Sequence, residues 1–151
     1  MINRLQFSIV IKADKNEIWK ALWNENSYRD WTSVFCEGSY AISDHWKEGS
    51  TVLFLGPDQS GIYSRIQKHI PNKIMSFKHI GTVVNGQEQP IDEDTRKWSG
   101  TSEIYKLTEA QNGNELTVEI DILDEHLDFM KATFPKALDK IKYNCGSSIS
   151  S

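Results

Sequence analysis

The chain has little of what marks specialised chemistry. It holds two cysteines, Cys36 and Cys145, far apart and without metal-type spacing, so free thiols with no assigned role are expected of a reducing compartment. Its four histidines, His45, His69, His79 and His126, include no pair at ligand spacing, which leaves a metal site without ligands and gives no reason to expect a cofactor. No Gly-rich loop follows a strand, no nucleophile elbow occurs, and neither cysteine has an evident base beside it, so a catalytic motif is missing. No apolar run is long enough to cross a bilayer, and Met1 to Ile11 alternates polar and apolar residues where a signal peptide would follow a basic region with an apolar one. A cytoplasmic location without an integral membrane segment is the expectation. No basic block stands out either. With a net charge of -4, a pI near 5.6 and Lys and Glu mixed throughout, a nucleic-acid partner is not expected.

What is present suits one globular domain. The 151 residues are 38% hydrophobic and 25% charged, enough for a single core that buries roughly 70% of the unfolded surface. There are no internal repeats. Residues 1–145 are expected to form the domain, and the Ser-rich end, 146–151, has almost nothing to bury and is expected to be disordered. The strongest periodic stretch is Asp124 to Asn144. Leu127, Met130, Phe134, Ala137, Leu138 and Ile141 step by three and four, a stripe about 100° wide on a helical wheel, with acids opening the segment and lysines crowding its end. Pro135 lies in the middle and predicts a kink near Lys131 to Phe134.

Upstream, Leu5, Phe7, Ile9 and Ile11 alternate with polar residues and read as a half-buried first strand. Asp14-Lys15-Asn16-Glu17 forms a capping box for a helix whose inner face is Ile18, Ala21 and Leu22, and Asn24 and Asn26 break it. A second short helix is expected to hold Tyr28 and Trp31 on one side, next to Trp19 and Trp23, an aromatic corner that either packs helix on sheet or rims a pocket. Strands follow at Glu37 to Ser43 and Ser50 to Leu55, the latter apolar on both faces from Val52 onward. Gly61 to Ile70 and Lys73 to Ile80 form a hairpin closed by Pro71-Asn72. Pairing Ile70 with Lys73 sets Lys68 against Met75, Ile66 against Phe77 and Ser64 against His79. That register collects Ile62, Ile66, Ile70, Met75 and Phe77 on the core side. Tyr63, Arg65, Gln67, His69, Ser76 and Lys78 then face solvent. Gly81 to Lys97 reads as a long excursion, and Trp98 to Leu107 and Glu115 to Leu123 as the last two strands. Pairing Leu107 with Leu116 puts Thr101, Glu103 and Tyr105 on the inner face with Val118 and Ile120.

Four polar residues are thereby left pointing inward: Ser64, His79, Thr101 and Glu103. Strand parity opposes His79 to Thr101 or Glu103, so a His and a Glu are expected to touch. Two readings stay open. The pair either satisfies itself inside the core, or orients the polar group of a ligand or acts as an acid/base pair.

Several stretches together resemble the SRPBCC superfamily, and within it the activator of heat shock protein ATPase homologue-like group. They are Ala13 to Leu22 with Tyr28 and Trp31, Trp46-Lys47-Glu48-Gly49-Ser50, Gly61 to His79, Trp98-Ser99-Gly100, Glu103-Ile104-Tyr105, and Phe134 to Lys142, which together cover nearly the whole chain. The resemblance implies an α+β helix-grip fold, as in START lipid-transfer domains and the birch pollen allergen: a curved antiparallel sheet wrapped around a long C-terminal helix, with two short helices after the first strand. It also implies a hydrophobic cavity between sheet and helix, for which the candidate lining is Trp31, Phe54, Ser64, Phe77, His79, Thr101, Glu103, Tyr105, Met130 and Phe134. Relatives in such a superfamily are ligand carriers, cyclases, ring-hydroxylase catalytic domains and co-chaperone modules, so one fold carries several functions. The iron-dependent branch needs two His and a carboxylate on one metal, which this chain's spacing does not offer. Binding of a small hydrophobic or amphipathic molecule by a monomer is the leading expectation. A stress-response module that meets a heat shock chaperone and a cyclase-like or hydrolase-like enzyme using His79 and Glu103 are the alternatives.

Overall fold

The computed structural model describes residues 1–146, so the expected disorder of the Ser-rich end lies outside the described residues except for Gly146. β1 (Ile2–Ile11) leads into α1 (Lys15–Trp23) and α2 (Glu25–Thr32). β2 (Tyr40–Ser43), β3 (Thr51–Leu55), β4 (Gly61–Ile70), β5 (Ile74–Val84) and the short β6 (Gln87–Glu88) follow. A single turn of helix, α3 (Glu93–Arg96), precedes β7 (Ser102–Ala110) and β8 (Gly113–Leu123), and after a 3-10 turn at Asp124–His126 the chain ends in α4 (Leu127–Gly146). All strand pairs are antiparallel and the sheet order is β1-β8-β7-β5-β4-β3-β2, with β6 on β5. This is the helix-grip arrangement, a curved sheet holding one long helix.

Local chemistry explains the elements. The Asp14 carboxylate accepts the Glu17 amide at 2.8 Å and starts α1, which buries Ile18, Ala21 and Leu22. Asn24 ends α1 and opens α2, whose Trp31 is buried with its indole N–H donated to the Leu22 carbonyl at 3.0 Å. α4 places Phe134, Ala137, Leu138 and Ile141 in the core, with Leu127 and Met130 half-buried beside them. Helical structure continues through Pro135, which lies on the exposed side. The acidic opening expected to belong to this helix instead forms the 3-10 turn, so α4 begins at Leu127. Among the described residues no helix is long and apolar enough to cross a membrane, and no three His, Cys, Asp or Glu side chains group as a metal site.

The hairpin of β4 and β5 departs from the expected register at its end and keeps it at its centre. Its loop has three residues, Pro71 to Lys73, with Asn72 at φ 65°, so Ile70 pairs with Ile74. A bulge between Ile66 and Lys68 absorbs the extra residue, so Ile66 still faces Phe77 and Ser64 still faces His79. Between bulge and loop the β4 side chains have changed face. Ile70, expected in the core, is exposed, and His69, expected in solvent, is half-buried and stacked on Trp19 with ring centroids 6.1 Å apart. A second shift between Tyr63 and Ser64 leaves Tyr63 and Ile62 half-buried, and Ser76 is buried as well.

Three other boundaries move. Glu37 to Ser39 turns, with Gly38 at φ 83° and the Ser39 amide on the Cys36 carbonyl at 3.2 Å, so β2 starts at Tyr40. The expected excursion at Gly81 to Lys97 is largely structured: β5 runs on to Val84, Asn85-Gly86 makes a two-residue turn at φ 51° and 78°, and Asp92 caps α3 through Thr95. Trp98 to Gly100 is turn, so β7 begins at Ser102. The pairing of Leu107 with Leu116 is as expected.

Candidate functional site

A cavity of about 580 Å³ opens between the concave face of the sheet, α2 and α4. Six of the expected lining residues are there: Trp31 from α2, Phe54 from β3, Glu103 and Tyr105 from β7, and Met130 and Phe134 from α4. Ser64, Phe77, His79 and Thr101 do not line it. Phe77 is buried and meets Phe54 edge-on at 5.1 Å. The Thr101 carbonyl accepts the His79 amide at 2.9 Å. Ile120 of β8 completes the apolar floor.

Phe134 is the roof. It stacks on Phe7 with centroids 5.0 Å apart and planes at 11°, and Phe35 meets it edge-on at 5.1 Å. Phe35, Cys36, Ser39 and the turn Gly56 to Ser60 form the mouth, none of which the sequence patterns marked, because irregular segments have no periodicity to read. Tyr28 also lines the cavity, on the side of α2 that its spacing to Trp31 predicts. At Gly61, on the rim, a Cβ would fall 1.9 Å from the Phe54 carbonyl oxygen, so only glycine allows β3 and β4 to approach there.

The polar centre is a chain of four residues on three adjacent strands. Ser64 Oγ is 2.6 Å from His79 Nδ1, His79 Nε2 is 3.1 Å from Glu103 Oε1, and the Tyr105 hydroxyl donates to Glu103 Oε2. With Glu103 ionised, Nε2 donates to the carboxylate, while Nδ1 is hydrogen-bonded to the Ser64 hydroxyl. Burial pushes the Glu103 carboxyl up, yet the hydrogen bond and charge of His79, with the Tyr105 hydrogen bond, hold it below the ordinary value of 4.5. Burial and the neighbouring Glu103 charge push the Tyr105 phenol well above 10.0. Near neutral pH the cavity therefore meets a carboxylate and a phenol that keeps its proton. The expected contact of His79 with Glu103 is present, and Tyr105, expected on the same inner face, is a further partner of Glu103. Its place two residues from Glu103 on the same face was the available signal.

Solved structures share this architecture. The Aha1 dimer from Colwellia psychrerythraea superposes with a TM-score of 0.67 at 21% identity, covering 95% of this chain and 96% of that one. DynU16, a putative protein of the dynemicin biosynthetic locus, has a TM-score of 0.69 at 12% identity over 95% of this chain, which spans 47% of that longer chain. ChR145 from Cytophaga hutchinsonii gives 0.67 at 19% identity, covering 99% and 97%. No family model and no curated protein matches the chain by sequence. At these identities the likeness concerns the fold alone, and the residues of the site carry the rest.

Proposed function

We propose that the protein binds a small hydrophobic or amphipathic molecule in the cavity between the sheet and α4. The observation that carries this reading is the cavity itself: its volume lies within the roughly 300–1,000 Å³ usual for ligand pockets, and aromatic and aliphatic walls surround one deep carboxylate. Binding is favoured over acid/base chemistry by the state of that carboxylate. A Glu held below its ordinary pKa is a weak base, and a phenol raised above its own is a weak acid. Apolar burial supplies the affinity, with each methylene worth ~0.8 kcal/mol, or about fourfold in Kd. A series of n-alkyl alcohols displacing a neutral fluorescent probe tests it. Affinity is expected to rise by about that factor per methylene until the cavity is filled. A flat series, or no probe binding by the folded chain, would refute the reading.

A second reading, contact with a heat shock chaperone, is supported by the sequence resemblance and by the fold likeness to the Aha1 dimer over nearly the whole chain. Calorimetric titration of the purified protein into a heat shock chaperone tests it, and absence of a heat of binding across salt conditions counts against it.

A further inference from the structure

From the charges around the cavity we infer that its ligand carries a neutral or cationic hydrogen-bond donor, such as an alcohol, phenol or ammonium group, and not a carboxylate. The inference rests on the binding proposed above and specifies the head group. The charged residues lining the cavity are Glu103 at its floor and Asp58 at its mouth, and no described lining residue is Lys, Arg or His. Glu103 Oε1 accepts from His79 and Oε2 from Tyr105, which leaves each oxygen with a further lone pair. A hydroxyl or ammonium placed there donates to the carboxylate. A second carboxylate there would lie against Glu103 with no lining cation to compensate, and one of the two would have to take up a proton. Three of the six lining hydroxyls are already committed as donors. Tyr105 donates to Glu103, and Thr32 and Ser39 donate to the Tyr28 and Cys36 carbonyls, each at 2.6 Å. Glu103 therefore offers acceptors to a guest, framed by apolar walls.

The test is competition for a neutral fluorescent probe, N-phenyl-1-naphthylamine, by dodecanol, dodecylamine and dodecanoate at pH 7, below their micellar concentrations. Dodecanol and dodecylamine are expected to displace the probe at concentrations at least about tenfold lower than dodecanoate. Glu103→Gln keeps the shape and removes the charge, so it is expected to strengthen dodecanoate, weaken dodecylamine and bring the two within about threefold. Tyr105→Phe keeps the carboxylate and is expected to preserve the order of amine over fatty acid; if Glu103→Gln does not fold, this order in Tyr105→Phe against Asp58→Asn still separates floor from mouth. Equal displacement by all three in the parent overturns the head-group inference and leaves the cavity reading standing. A preference that survives Glu103→Gln unchanged assigns it to the overall negative charge and also overturns the inference. Failure of the probe to bind at all refutes the cavity reading and the inference together.

Discussion

Replacing His79 by leucine interrupts the polar chain at its centre. Ser64 is fully buried and its hydroxyl has His79 as its side-chain partner, so the variant strands it in an apolar setting, at a cost of about 1–3 kcal/mol. Glu103 loses the donor to Oε1 and retains the Tyr105 hydroxyl on Oε2. Removing one member of a fully buried ion pair costs about 3–5 kcal/mol, and here the figure is discounted because the Glu103 side chain is 22% exposed toward the cavity. A total loss near 3 kcal/mol is the expectation, or about 6–12 °C in Tm for a domain of this size. Adding Glu103→Gln should recover roughly 1–2 kcal/mol, since the uncompensated charge is then gone. The pH dependence has a definite sign. A carboxyl whose folded pKa lies below its ordinary 4.5 stabilises the fold above that value and loses the contribution as pH falls through the folded pKa. The gap between parent and His79→Leu should thus be widest near neutrality and narrow below pH 4.5. Urea unfolding followed by tryptophan fluorescence at several pH values, with an NMR titration of the His79 ring, provides the measurement. A loss below about 1 kcal/mol that is additive with Glu103→Gln and constant with pH would refute the chain as a coupled unit.

Phe134→Ala should cost about 3–4 kcal/mol in chemical denaturation, because the ring is 1% exposed and stacked on Phe7, although it also borders the cavity; a cost near zero would mean that the roof is unpacked. Gly61→Ala should destabilise by at least roughly 1–3 kcal/mol, since the added methyl meets backbone that cannot rotate away, and a neutral result in the same assay would contradict the approach of β3 to β4. Thiol labelling at neutral pH should modify exposed Cys36 first. Burial, with the charges of Glu17 and Asp14, pushes Cys145 up to about 11 and leaves it little thiolate. A bound alkyl alcohol should slow the Cys36 reaction, and an unchanged rate at saturation would place the alcohol elsewhere.

The part of the site carried by strand alternation was legible in the sequence. Ser64 opposite His79, and Glu103 and Tyr105 on one face, follow from period-two parity alone, and the structure keeps both. The register survived through a compensation that parity cannot see: the loop gained Lys73, the bulge at Gln67 returned the slip, and Ser64 came back into line. His69 and Ile70 lie between those two irregularities and for that reason take the faces opposite to those that parity predicts. The mouth was illegible for a different cause. Phe35, Cys36 and Ser39 sit in a segment held by local backbone bonds, where one-dimensional pattern has no repeat to follow. The resemblance implies a cavity under α4, and Phe77 and His79 lie outside its lining, in contact with the lining residues Phe54 and Glu103.

The polar chain runs across β4, β5 and β7, at right angles to the strands, and so joins three pieces of backbone that ladder bonds already hold in register. The opposite end of the cavity is bounded by the turns at Phe35 to Ser39 and Gly56 to Ser60. On the binding proposed above, one end of a guest would meet a cross-braced frame and the other would leave between those two turns. A change of one atom at the polar end should then be felt through the whole frame, whereas carbons added once the cavity is filled should matter little.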